Sequence, residues 1–246
     1  MLKNFKLIIE YDGTAYHGWQ RQKDLPTIQG EIENALLTMA GDPVTLIGSG
    51  RTDAGVHAMA QVAHFKSNTR IPPQAFQKGL NSLLEKDIVV KFCLQAQENF
   101  HARYDVKSKT YRYRILHRPL PEAVGRQYAW HIPQKLDPDA MRRAISHILG
   151  RHDFKAFEGT GSPRSDTNRH IFKAELIQNE GDYLDIFVEA DGFLKFMVRN
   201  IVGTLAEVGR GKITAQDFKE ILISKNRNLA GATAPPQGLC LIKVTY

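Results

Sequence analysis

Cysteine is scarce: Cys93 and Cys240 are the only two in 246 residues, which excludes a disulfide scaffold and a four-cysteine zinc site. Each sits in an apolar run, Val89-Val90-Lys91-Phe92-Cys93-Leu94 and Leu239-Cys240-Leu241-Ile242, so both are expected as reduced core residues. No window approaches the ~18 apolar residues that a membrane helix requires. The opening Leu2-Lys3-Asn4-Phe5-Lys6 lacks the apolar stretch of a signal peptide, and a soluble, cytoplasmic protein is expected. Neither HExxH nor CxxC occurs. His57 and His64 are seven apart on a predicted strand, an odd spacing that puts them on opposite faces, so no metal is expected. Gly48-Ser49-Gly50 has neither a Walker lysine nor the dinucleotide-binding pattern, and no cofactor is expected. Acids are the minority: 26 Asp+Glu stand against 33 Lys+Arg, a formal charge of +7.

What is present is ordinary for a folded domain, with 42% hydrophobic and 24% charged residues, so wholesale disorder is excluded. The basic residues cluster. Lys107, Lys109, Arg112, Arg114 and Arg118 fall within twelve residues that hold no acid, interleaved with Tyr111 and Tyr113. On a strand Lys107, Lys109, Tyr111 and Tyr113 share one face, with Arg112 and Arg114 on the other. Cations beside aromatic planes are what an RNA-binding surface uses, although a charged edge strand fits the same pattern.

Periodicity predicts an α+β fold of mostly antiparallel sheets. Asn4–Tyr11 alternates as a half-buried strand. Thr27 caps a helix to about Ala40 with Ile28, Ile32, Ala35, Leu36 and Met39 on one face. Strands are expected near 44–47, 61–65, 88–94 and 109–116, and a helix near 74–84. Asp137, Pro138 and Gly150 bracket a helix that buries Met141, Ile145, Ile148 and Leu149. A hairpin pairs 171–177 with 183–189. Helices follow over 196–208 and from a cap at Thr214, and the last strand is 238–246. Two halves of similar content are expected, 1–105 and 106–246. Ile8-Ile9-Glu10-Tyr11-Asp12-Gly13 resembles Phe187-Val188-Glu189-Ala190-Asp191-Gly192, which suggests related halves whose sheets meet at a basic cleft.

Two segments carry chemistry. Gly48-Ser49-Gly50-Arg51-Thr52-Asp53-Ala54-Gly55-Val56-His57 surrounds one carboxylate with glycines and small side chains, which permits a tight turn that presents Asp53. An Asx turn in which Asp53 serves its own backbone fits too. In the helix near 197–208, Arg199 shares its arc with Gly203 and Ala206, so it is expected to be partly buried and to need an anionic partner, for which Asp53 is a candidate.

Gly50–His57 resembles the active-site signature of the TruA family of tRNA pseudouridine synthases. Five more stretches match in order: Glu10–Gly13 with Gly18-Trp19-Gln20-Arg21-Gln22, Phe100-His101-Ala102-Arg103-Tyr104, Lys109–Tyr113, Met197–Gly203 and Thr233–Leu239. The resemblance spans nearly the whole chain. It implies the pseudouridine synthase fold and isomerisation of uridine at tRNA positions 38, 39 and 40, in the anticodon stem and loop. It also implies Asp53 as nucleophile, Arg199 pairing with and orienting it, and Tyr111 against the base, with no cofactor and a homodimer. Gly192-Phe193-Leu194-Lys195-Phe196 departs from members that carry histidines before the methionine. Arg21, Arg51, Arg103, Lys109 and Arg112 are the candidates for gripping phosphates. A non-catalytic tRNA-binding or folding protein, and a pseudouridine synthase acting on another RNA, are the rival readings.

Overall fold

The computed structural model describes residues 2–161 and 165–246. In chain order it forms β1 (Lys3–Tyr11), α1 (Ile28–Ala40), β2 (Ile47–Gly48), β3 (His57–Ser67), α2 (Pro73–Leu83) and β4 (Ile88–Ala96). It continues with β5 (Ser108–Leu116), β6 (Trp130–His131), α3 (Pro138–Ser146), β7 (Gly150–Asp153), β8 (Asn168–Asn179) and β9 (Tyr183–Ala190). Last come α4 (Met197–Gly209), α5 (Ala215–Ser224) and β10 (Leu239–Thr245). The class is α+β. Among the described residues no helix is long and apolar enough to cross a membrane.

Two compact units divide the chain, Met1–Lys107 with Cys240–Tyr246, and Ser108–Leu239. The last strand therefore leaves the expected 106–246 half. It pairs in parallel with β3, Cys240 opposite His57 and Leu241 opposite Ala58, and ladder bonds to β3 outweigh its position in the sequence.

In the first unit β1 is central, antiparallel to both β3 and β4. Its alternate residues Phe5, Leu7, Ile9 and Tyr11 are buried. Phe5 stacks on Phe65 at 5.1 Å with Phe76 of α2 edge-on at 5.1 Å, an aromatic centre that binds helix to sheet. Thr27 caps α1 through the Gly30 N–H, and Gly41 ends it at φ +81°. The strand expected at 44–47 is reduced to Ile47–Gly48 because the Leu46 backbone is taken by α1 side chains. Its N–H donates to Glu33 Oε1 (3.0 Å) and its C=O accepts from Gln29 Nε2 (3.0 Å).

A bulge overturns the expected histidine geometry. Ile9 faces Gln61 and Tyr11 faces Ala58, so Met59 and Ala60 together oppose Glu10. One extra residue reverses the strand's parity, and His57 and His64 fall on the same face.

In the second unit β9 lies between β5 and β8, both antiparallel to it, and β7 extends β8. Phe154 and Phe157, Ile201 and Leu205 of α4, and Phe218 of α5 are fully buried, with Phe157 stacked on Phe218 at 5.5 Å. Asp137 caps α3 by accepting from the Asp139 and Ala140 N–H groups. Leu149, expected inside, is 44% exposed, since the helix stops at Ser146 and Gly150, at φ +90°, turns the chain into β7.

Candidate active site

Asp53 lies between β2 and β3, in a loop braced from two sides. The segment after β1 runs against it: Trp19 N–H donates to the Thr52 carbonyl (3.1 Å) and Gly55 N–H to the Tyr16 carbonyl (3.3 Å). Gly18 permits that approach. Its φ is +88°, and a Cβ there would lie 2.5 Å from the Thr52 oxygen. Inside the loop Val56 N–H donates to the Asp53 carbonyl at 3.1 Å, closing a turn in which Gly55 takes φ +74°. Gly48 is small for a different reason, since a Cβ would meet the Trp19 ring at 2.6 Å.

From the sheet side the brace is a buried polar network. Tyr11 OH and Thr52 Oγ1 are 2.8 Å apart. Ser49 Oγ donates to Gln61 Oε1 (2.6 Å), and Gln61 Nε2 donates to the Gly50 carbonyl (3.0 Å). Tyr11, Ser49, Thr52 and Gln61 are all buried, where such bonds are strong and costly to lose. Burial raises the Tyr11 phenol pKa, outweighing its bonds to Thr52 and Gln61, so it stays a protonated partner. His57 Nδ1 lies 3.0 Å from both Gly13 N and Asp12 Oδ1, fixing the loop's far end. The half-buried Asp53 thus stands between two anchored neighbours, Thr52 and Val56. Except for Gln61, the residues of this brace lie within or near the stretches that carry the resemblance, yet contacts such as Tyr11 to Thr52, 41 positions apart, leave no local signal.

In the second unit Tyr111 is on β5 opposite Val188. It is 7% exposed and packs edge-on to Phe193 at 5.0 Å. Tyr113, expected to share an RNA-facing surface, is fully buried and donates its OH to the Pro235 carbonyl (2.7 Å). It is a core residue. Arg114 is committed as well, forked on the buried Asp185 at 2.8 and 2.7 Å.

Arg199 sits in the first turn of α4. Its Nε donates to the Ala234 carbonyl (2.8 Å), and its guanidinium lies 4.9 Å from the Phe196 ring centre. Segment 231–234 comes this close because residue 203 is glycine: a Cβ there would be 1.8 Å from the Ala232 oxygen. Asn200 Oδ1 fastens the same segment by accepting from Thr233 Oγ1 (2.7 Å) and Arg227 Nη2 (3.0 Å).

The predicted basic residues differ in their engagement. Arg21 pairs with Glu33 at 3.1 Å. Arg51 is exposed, its Nε on Gln20 Oε1 (2.9 Å). Arg103 is exposed, and Lys109 is half-buried on β5. Arg112 is half-buried on β5, and its Nε is buried without a hydrogen-bond partner. Both cysteines are buried and outside any disulfide, and burial pushes the Cys93 thiol up to about 12. Among the described residues no group of three or more His, Cys, Asp or Glu could hold a metal ion.

Fold and loop together define an α+β protein that presents one braced carboxylate. The profile of a family described as tRNA pseudouridine synthase matches residues 7–105 and 144–246. A protein named tRNA pseudouridine synthase A from Thermoanaerobacter sp. (strain X514) is 47% identical over 245 residues, all of both chains. One named tRNA pseudouridine synthase A 2 from Clostridium perfringens (strain 13 / Type A) is 48% identical over 245 residues, again covering both chains in full. A third, tRNA pseudouridine synthase A from Geobacter sp. (strain M21), is 47% identical over 246 residues, 100% of this chain and 99% of its own. This chain belongs to the tRNA pseudouridine synthase family.

Proposed function

We propose that this protein isomerises uridine to pseudouridine at positions 38, 39 and 40 of tRNA. Asp53 is the catalytic carboxylate, Arg199 the guanidinium that pairs with and orients it, and Tyr111 the ring that stacks on the base. In the reaction the C1′–N1 bond breaks, the detached uracil turns, and C5 bonds to C1′. The C5 proton leaves and N1 takes one up, so nothing is oxidised or hydrolysed overall. Asp53 acts either by attacking C1′ or by removing a proton to form a glycal, and the Tyr111 phenol relays the C5 proton. A neighbouring guanidinium would keep the carboxyl ionised.

The observation that carries this reading is the Gly50–His57 run, held on both sides by buried hydrogen bonds, in a chain of this family. A protein that only bound tRNA would have no use for an aspartate loop braced by Tyr11, Gln61 and Trp19. Extruding a paired base costs a few kcal/mol, which Arg21, Arg51, Arg103, Lys109 and Arg112 would offset by gripping flanking phosphates. Arg51 and Arg103, both exposed, are best placed for that role. Three neighbouring targets share no sequence context, so the arm is read by shape. By analogy with the family, the working form is a homodimer in the cytoplasm.

Carbodiimide mapping of an unmodified tRNA transcript after incubation with the protein tests this directly. Adducts at positions 38 to 40 are expected, each read as a stop one nucleotide to its 3′ side. Adducts elsewhere would mean a different site in tRNA, and none at all would favour a binding protein or a synthase acting on another RNA.

A further inference from the structure

The stretch Phe100–Tyr104 matches the family pattern but has no part in the loop around Asp53. Tyr104 is 76% exposed, unusual for so large a ring, yet it is not loose. Its plane lies on the His101 imidazole at 4.2 Å and 23°, and His101 in turn meets the buried His64 edge-on at 4.8 Å.

The backbone beneath this stack is a closed turn. His101 N–H donates to Asp105 Oδ2 (2.8 Å), and the Arg103 and Tyr104 N–H groups both donate to His101 Nδ1 (3.2 Å each). Buried Ala102 pins the turn to the unit, its N–H on His64 Nδ1 (3.1 Å) and its carbonyl accepting from Tyr246 OH (2.6 Å). One face of Tyr104 is occupied by His101, and the exposed remainder of the ring is held at a set angle. The exposed Arg103 guanidinium stands 5.9 Å from the ring centre. Lys66 and Lys107 are exposed in the same unit, while Asp105 is occupied by the turn.

We propose that the Tyr104–His101 stack is a platform on which an RNA base stacks, with Arg103 meeting the adjoining phosphate. A pre-ordered aromatic beside an arginine suits any base, because every base has a π-face. The platform serves a nucleotide other than the target, whose ring is Tyr111. Ile47 of β2 pairs with His64, so the stack adjoins the start of the segment that leads to Asp53, while His57 at the far end of that segment is seven residues along β3. It deepens the tRNA reading above and rests on it.

Filter binding of an unmodified tRNA transcript to Tyr104→Ala and Tyr104→Trp variants provides the test. Tyr104→Ala should raise Kd roughly tenfold, and Tyr104→Trp should stay within about twofold of the parent. The thermal midpoint should hold, because the ring lies outside the core, and in turnover the loss should fall on KM rather than kcat. An unchanged Kd for Tyr104→Ala overturns the platform, as does a Tyr104→Trp variant that binds as weakly as Tyr104→Ala. A changed oligomeric state with tRNA affinity intact overturns it too, by giving the ring to a second copy. A parent protein that binds no tRNA defeats the underlying reading instead, so the two failures are distinguishable.

Discussion

Asp53 depends on uncharged neighbours. Tyr11, Thr52, Ser49 and Gln61 form a buried set that holds the backbone of residues 49–52, so small deletions there should act on catalysis through geometry. Tyr11→Phe keeps the ring and removes the bond to Thr52. Because misplacing a reacting group by about an ångström can cost on the order of a hundredfold, kcat should fall by about ten- to a hundredfold with little change in tRNA affinity. Thr52→Val should do the same, and the double variant should lose no more than either alone, which single-turnover rates can check. Asp53→Asn should abolish turnover while tRNA affinity stays within about a few fold, since the brace is untouched. His64 gives a pH signature. Burial, then His101 and Lys66, lowers its pKa from 6.5 to about 4. In that window the unfolded chain binds the proton first, so this contribution is full above about pH 6.5 and lost as pH falls through about 4. Urea midpoints should decline over that range, and less steeply in His64→Gln. At this scale the tight turn of residues 50–57 was legible because its glycines and small side chains are contiguous. The brace was not, and Tyr113 misled because strand alternation shows which residues share a face but not whether that face is covered.

Secondary structure was most legible where one strong period runs uninterrupted. β1, α1, the β8–β9 hairpin, α4 and α5 stand within a few residues of their expected spans, each having alternation or a cap that local physics reads directly. The Thr214 cap is such a case, with Thr214 Oγ1 accepting from the Asp217 N–H and the Asp217 side chain returning the bond. Short elements were not legible. β6 and β7 carry too few residues for a period, β2 is cut short because Leu46 before it gives its backbone groups to Gln29 and Glu33, and the β3 bulge reversed the parity on which the histidine argument relied. Tertiary contact decided all four. The same logic makes α4 testable: Gly203→Ala would drive a Cβ into the Ala232 carbonyl, and overpacking of this kind costs about 1–3 kcal/mol. A lower urea midpoint is expected, with reduced activity because segment 231–234 also holds Arg199.

Across the whole chain, the unit containing Asp53 is built from both ends of the sequence. Residues 1–107 alone lack β10, whose pairing covers β3 at His57 and Ala58. A fragment ending at Lys107 should therefore unfold at lower urea than the same fragment with residues 240–246 attached by a short linker. Equal midpoints would show that β10 adds nothing there. The net +7 charge makes tRNA affinity salt-dependent. Replacing Arg51 or Arg103 by Gln should reduce the slope of log Kd against log salt by about one for each phosphate that is no longer neutralised. The most direct measurement of the central claim is tritium release from tRNA carrying C5-labelled uridine, with the parent protein and Asp53→Asn side by side. Isomerisation must expel that hydrogen, so the parent should release label from the anticodon arm and the variant none. Equal release by both would contradict the assignment of Asp53, and no release by the parent would contradict pseudouridine formation itself.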